Sequence, residues 1–163
     1  MDSRHTPTLG TLLRHLIDLL DEAVGQTYER SGLDYRPRYT PVIRALLDVG
    51  PASIRTISKH AGLTHSATSQ TISQMSRDGL VKLRPGNDAR ERIVVLAPKA
   101  QDMLPALGRH WEATNAAAQG LEQELSAPLS ALLSEAIRAL EAQPFLDRID
   151  QRATKAKPTP TKR

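Results

Sequence analysis

Leu63-Thr64-His65-Ser66-Ala67-Thr68-Ser69-Gln70-Thr71-Ile72-Ser73-Gln74-Met75-Ser76-Arg77-Asp78, with Gly79 behind it, is the stretch on which the fold turns. Thr64 has the chemistry of a helix N-cap and Gly79 that of a left-handed stop. Ala67, Thr68, Thr71, Ile72 and Met75 share one side of the helix this predicts, and His65, Ser66, Ser69, Gln70, Ser73 and Gln74 share the other. A face crowded with Ser, His and Gln packs poorly and is a mediocre helix former. The same hydroxyls and amides can bond to base edges and phosphates in the major groove of a duplex. An ordinary solvent-facing helix would be equally polar, so the flanking segments decide.

Upstream, Ser53 can cap a short helix carrying Ile54, Ile57 and Ala61, and Gly62 ends it. Only Leu63 separates that glycine from Thr64, the spacing of a helix-turn-helix. Downstream the periodicity switches at once. Leu80-Val81-Lys82-Leu83-Arg84 and Arg92-Ile93-Val94-Val95-Leu96 read as strands, and Pro85-Gly86-Asn87-Asp88-Ala89-Arg90-Glu91 between them carries turn signals. A hairpin directly after a helix-turn-helix is a wing. Arg90 lies near its tip, where a guanidinium can enter a narrow minor groove, and Asp88 and Arg92, which flank it, can pair with each other and stiffen the hairpin.

Further out the pattern is helical. Leu9, Leu12, Leu13, Leu16, Leu20, Ala23, Val24 and Thr27 form an amphipathic stripe that Gly32 is placed to end. Thr40-Pro41 supplies an N-cap and a first-turn proline for a helix carrying Val42, Ile43, Ala45, Leu46 and Leu47. Beyond Pro98 a long helix reaches about residue 125. Ser126 is placed to cap another from Pro128 to about Ala142, with Leu129, Leu132, Leu133, Ala136, Ile137 and Leu140 on one face. Wide apolar stripes at both ends suit a dimer interface, although packing within one chain would use them too. The division expected is an N-terminal dimerisation helix (1–35), a winged helix-turn-helix region (36–98), C-terminal dimerisation helices (99–150) and a disordered basic tail (151–163). All but the tail form one mainly α structural domain.

Composition sets outer limits. The 163 residues hold 22 Lys and Arg against 18 Asp and Glu, a net charge of +4, which permits a polyanionic partner without demanding one. Cysteine is absent, which removes disulfides, thiolate nucleophiles and cysteine zinc sites. Aromatic residues make up 3% of the chain, too few for a single-strand stacking platform. No apolar run approaches the roughly 18 residues of a membrane span, and the N-terminus lacks a secretory signal, so a cytoplasmic, nucleoid-associated bacterial protein is expected. His5, His15, His60, His65 and His110 have no metal-ligand spacing, and no phosphate-cradling loop or nucleophile elbow occurs. No catalytic residue, metal or cofactor is expected, and the chain reads as something other than an enzyme.

Taken together, Leu63 to Gln70, Gly79-Leu80-Val81, Asp88-Ala89-Arg90 and Val95-Leu96-Ala97-Pro98-Lys99-Ala100 resemble the MarR family of transcriptional regulators. The likeness spans roughly Leu9 to Ile149. It implies a homodimer held by terminal helices, each recognition helix in a major groove and each wing arginine in a minor groove. By that likeness Arg90 matches the minor-groove arginine, and Ser66, Ser69 and Gln70 match groove-facing positions. Gln70 stands where many relatives carry arginine, and Ala97 and Ala100 replace a usual Thr and Gly. The DNA-contacting set expected is therefore Ser53, Thr64, His65, Ser66, Ser69, Gln70, Ser73, Gln74, Arg90 and Arg92. The resemblance also implies a small-molecule site. Tyr28, Tyr35 and Tyr39 lie near Arg36 and Arg38, and rings with a guanidinium can hold an aromatic or anionic effector; equally, they can pack the first helix on the second. The expected function is a sequence-specific double-stranded DNA-binding regulator, a repressor on an inverted repeat released by an effector. A winged protein-interaction module and a non-specific architectural DNA binder remain alternatives.

Overall fold

A computed structural model describes residues 6–86 and 91–155. Its elements, in order, are α1 (Leu9–Arg30), a 3-10 turn (Pro37–Tyr39), α2 (Thr40–Val49), β1 (Ala52–Ser53), α3 (Ile54–Ala61), α4 (His65–Arg77), β2 (Val81–Pro85), β3 (Arg92–Leu96), α5 (Pro98–Gln123), α6 (Leu129–Ala142) and α7 (Phe145–Lys155). The chain divides into two compact units, one to Thr114 and one from Asn115. The fold is a winged helix-turn-helix, mainly helical, with one small antiparallel sheet.

In the first unit, each boundary has a local cause. Thr8 Oγ1 accepts from the Thr11 amide at the start of α1, Ser53 Oγ from Thr56 at α3, and Thr64 Oγ1 from Ala67 at α4. These caps satisfy amides that a helix start leaves without acceptors. Gly62 and Gly79 close α3 and α4 at φ +65° and +75°, a left-handed conformation that costs glycine little. The Leu63 amide returns to the Ser58 carbonyl and the Leu80 amide to Met75, so both stops have the same hydrogen-bonded form.

Two local expectations need correction. Thr40 does not cap α2. It is helical (φ −54°, ψ −47°), Tyr39 occupies the cap position, and the Thr40 hydroxyl accepts instead from Tyr35 Oη at 3.2 Å. The sheet also has a third strand: β1 pairs with β3 through Ala52–Val94 and Ser53–Ile93, giving the order β1-β3-β2. The wing hairpin is in register from Val81–Leu96 to Pro85–Arg92.

The core lies inside this unit. Tyr28, Tyr39, Ile43, Ile57, Ile72, Met75, Leu80 and Leu107 are its largest fully buried side chains. Each buried aliphatic contributes about 1.5–3 kcal/mol by removal from water. Along the rest of α1 most of the stripe that the periodicity marks faces solvent: Leu9 is 71% exposed and Leu12 53%.

The second unit contains α6 and α7. Pro128 stands at the N-cap position of α6, and Glu122 Oε1 accepts the Ser130 amide at 2.7 Å, so the cap expected of Ser126 is supplied by a carboxylate instead. A carboxylate favours a helix N-terminus electrostatically as well as by hydrogen bonding. Those bonds hold the Glu122 carboxyl below its ordinary range. Arg148 Nη2 donates to the Ala139 carbonyl and Nε to Gln143, which ties the start of α7 to the end of α6. Pro144 separates α6 from α7, and α7 runs from Phe145 to Lys155, so that its last five residues fall within the segment expected to be the tail. Residues 156–163 lie outside those described.

Candidate nucleic-acid interface

Helix α4 is held by its apolar face. Thr68, Ile72 and Met75 are buried, and Thr68 Oγ1 donates to the Thr64 carbonyl at 2.9 Å, so its hydroxyl is satisfied within the helix. That anchoring turns His65, Ser66, Gln70 and Ser73 outward as exposed residues, with Ser69 half-buried beside them. The two faces read from the sequence are those of the structure, except that Ala67 is exposed.

The remaining expected contacts are placed differently. Ser53 and Thr64 sit at helix starts with their hydroxyls engaged as caps. Gln74 lies in the last turn with its amide committed: Nε2 donates to Asp78 Oδ1 at 2.8 Å, and Oε1 accepts from Arg77. Arg92 is exposed at the start of β3, opposite Pro85. Arg90 and its neighbour Asp88 fall outside the described residues. On β2, Lys82 and Arg84 are both exposed and two residues apart, hence on one side of the strand.

The three tyrosines of the candidate effector set form an edge-to-face row. Tyr28 meets Tyr35 edge to face at 5.1 Å and His110 at 5.2 Å, and Tyr35 meets Tyr39 at 5.7 Å. All three tyrosines are buried, while Arg36 is exposed. Burial pushes the Tyr35 hydroxyl well above its ordinary value.

Sequence reading missed the network at the C-terminal end of α4. Tyr39 Oη donates to Asp78 Oδ2 at 2.5 Å, and Lys99 Nζ donates to the Asp78 carbonyl at 2.9 Å and to Asp34 at 3.3 Å. The Tyr39 hydrogen bond, above all, holds the Asp78 carboxyl below its ordinary range. Burial, and then that same bond, pushes Tyr39 up. Contacts across 39 and 21 positions of chain leave no local pattern to read. Elsewhere, Arg44 stacks over Trp111 at 4.9 Å from the ring centre, and His60 Nε2 pairs with Asp48 at 2.9 Å between α3 and α2. Among the described residues no cluster of side chains has the composition of a metal site, and no helix is long and apolar enough to cross a membrane.

Residues 31–91 match the family model of the MarR family. No curated protein matches the chain. Among solved structures the chain is similar to the transcriptional regulator MOSR of M. tuberculosis in complex with DNA, with 18% identity and a TM-score of 0.66 over 85% of this chain and 100% of that one. It is similar as well to BpsR of Bordetella bronchiseptica, whose DNA binding is regulated by 6-hydroxynicotinic acid (18% identity, TM-score 0.63, 86% and 98% covered). A MarR family regulator of Neisseria meningitidis, NMB1585, aligns over 91% of this chain and 96% of its own at 16% identity, with a TM-score of 0.53. The segment that holds the helix-turn-helix and the start of the wing thus matches the MarR family model, and the fold around it is shared with solved regulators over nearly their whole length.

Proposed function

We propose that the chain is a transcriptional regulator that binds double-stranded DNA as a homodimer and represses from an inverted repeat. The observation that carries this reading is the division of α4. One face is locked into the core, and the other offers His65, Ser66, Ser69, Gln70 and Ser73 between a helix-turn and a wing. In this reading the polar face lies in a major groove and Arg90 enters the adjacent minor groove. Arg92, with Lys82 and Arg84, supplies charge toward the phosphates. Ser53 and Thr64 add the capped starts of α3 and α4, and Gln74 contributes through its hold on Asp78 rather than on a base. The DNA complex of MOSR supports the assignment.

The homodimer is supported by the exposed apolar residues of α1, α6 and α7, among them Leu9, Ile17, Leu132, Ile137 and Phe145. Release by a small aromatic or anionic effector at Tyr28, Tyr35, Arg36 and Tyr39 is supported by the regulation of BpsR by such a compound. With the three rings packed against one another, Arg36 is the member of that set an anion meets first.

A fluorescence titration with a duplex selected by the protein from a randomised pool tests the reading. Arg90→Ala weakens binding to all sequences, because a wing arginine responds to groove shape. Gln70→Ala acts unevenly across single-base variants, each lost bidentate contact being worth about 1–3 kcal/mol. Affinity falls steeply with salt as counterions are released. If both variants bind every sequence as the unaltered protein does, the recognition surface lies elsewhere, and the interaction-module reading replaces this one.

A further inference from the structure

The two ends of α4 are fixed by different means. At the N-terminal end everything is local: the left-handed Gly62, Leu63, and the Thr64 cap. At the other end stands Asp78, a carboxylate in the C-cap position, where it faces the negative end of the helix dipole and would be disfavoured on its own. It is held there by Tyr39 Oη at 2.5 Å on Oδ2, by Gln74 Nε2 at 2.8 Å on Oδ1 and by Lys99 Nζ at 2.9 Å on its carbonyl. Tyr39 itself cannot shift freely. Its ring is fully buried and lies edge to face with Tyr35, which meets Tyr28, which meets His110 of α5.

We infer that Tyr39 and Asp78 are positioning residues for DNA reading, their hydrogen bond setting the angle at which α4 presents Ser66, Ser69 and Gln70 to the groove. This rests on the DNA-binding reading above. The 13 residues of α4 span about 20 Å, so a tilt of a few degrees about the Gly62 turn moves a side chain along it by about an ångström. That is enough to spoil a bidentate hydrogen bond to a base edge but not an attraction to phosphate. Nor is the bond merely a packing contact, since the ring of Tyr39 fills its space without the hydroxyl. Lys99 and Gln74 complete the clamp through their bonds to Asp78.

The test is a double-mutant cycle on the full chain with Tyr39→Phe, Asp78→Ala and the pair. Binding is measured on a duplex that the unaltered protein selects from a randomised pool and, separately, on a scrambled duplex of equal length. Circular dichroism checks folding, and Asp78→Asn replaces Asp78→Ala should the alanine variant unfold. Each single change lowers the ratio of selected to scrambled affinity by about tenfold, the equivalent of one hydrogen bond to a charged group, and the double variant loses no more than the worse single. A purely structural role reduces both affinities together through loss of folded protein. An unchanged ratio in the single variants, or losses that multiply in the double, overturns the inference. If the unaltered protein enriches no duplex at all, the DNA reading itself has failed, and this inference falls with it by a route the cycle does not involve.

Discussion

The winged core and the terminal helices are built from the same aliphatic residues and treat them in opposite ways. Between Tyr28 and Leu107 the apolar side chains close over one another, down to full burial of Ile43, Ile57, Ile72 and Met75. In α6 no residue is buried; Leu132 stands 50% exposed and Ile137 56%. An amphipathic stripe therefore records that a helix has something to cover, not that its own chain covers it. The core accounts for its pattern within one chain, whereas the apolar face of α6 is left exposed by it, the feature on which the proposed homodimer rests.

The largest effect that would break this contrast is on assembly. Light scattering is expected to give about twice the chain mass of 17.9 kDa. Leu133→Lys with Ile137→Lys is expected to yield a folded monomer and to lower affinity for a two-half-site duplex by about a hundredfold, through loss of the second linked contact. A monomer in the unaltered protein at micromolar concentration would erase the distinction.

Next in size is the comparison of one aliphatic residue from each region. Ile72→Ala empties a fully buried site and is expected to cost about 2–5 kcal/mol in urea unfolding at any protein concentration. Ile137→Ala is expected to cost less and in a concentration-dependent way, as an interface residue does. Equal, concentration-independent losses at the two positions would place both in cores of the same kind.

The smallest effect sharpens the contrast through pH. Asp78 has its pKa lowered from 3.8 in the folded state, so its contribution is complete above that value and is lost as pH falls below it. Tyr35 and Tyr39 have theirs raised from 10.0, so what they contribute is present below pH 10 and is lost as pH climbs through the folded values. Urea midpoints are thus expected to hold level between about pH 5 and 9 and to fall on both sides. Phenylalanine at positions 35 and 39 removes the alkaline fall; its persistence in that variant would show that other groups cause it.

These regions also differ in how far the sequence disclosed them. The helix-turn-helix was legible because its signals are local: a cap at Thr64, a left-handed glycine on either side, and a switch from a 3.6-residue to a two-residue period at Leu80. Strand β1 was not, since two residues are too few to alternate, and only pairing with Val94 and Ile93 defines them as a strand. Thr40-Pro41 carried a cap signal that tertiary structure overrode, the threonine hydroxyl being taken up by Tyr35. On α4, polarity separated the outward face from the core face but could not separate Gln70, exposed, from Gln74, whose amide is held by Asp78 and Arg77. The clustering of three tyrosines was visible as well. That they would stack on one another, with one hydroxyl reaching Asp78, depends on how α1, α4 and α5 come together.

The turn between α3 and α4 has a thermodynamic consequence for association. With Gly62 at φ +65°, the Leu63 amide bonded to Ser58, and Thr64 committed as a cap, the backbone between the two helices is already ordered. Ordering a residue that is flexible beforehand costs about 1–2 kcal/mol of conformational entropy, and a hinge of several such residues would have to be frozen each time the pair met a ligand. Here that loss was incurred during folding. The two helices approach any partner with that turn already ordered, so the contacts they form are not diminished by the entropy of freezing a flexible hinge.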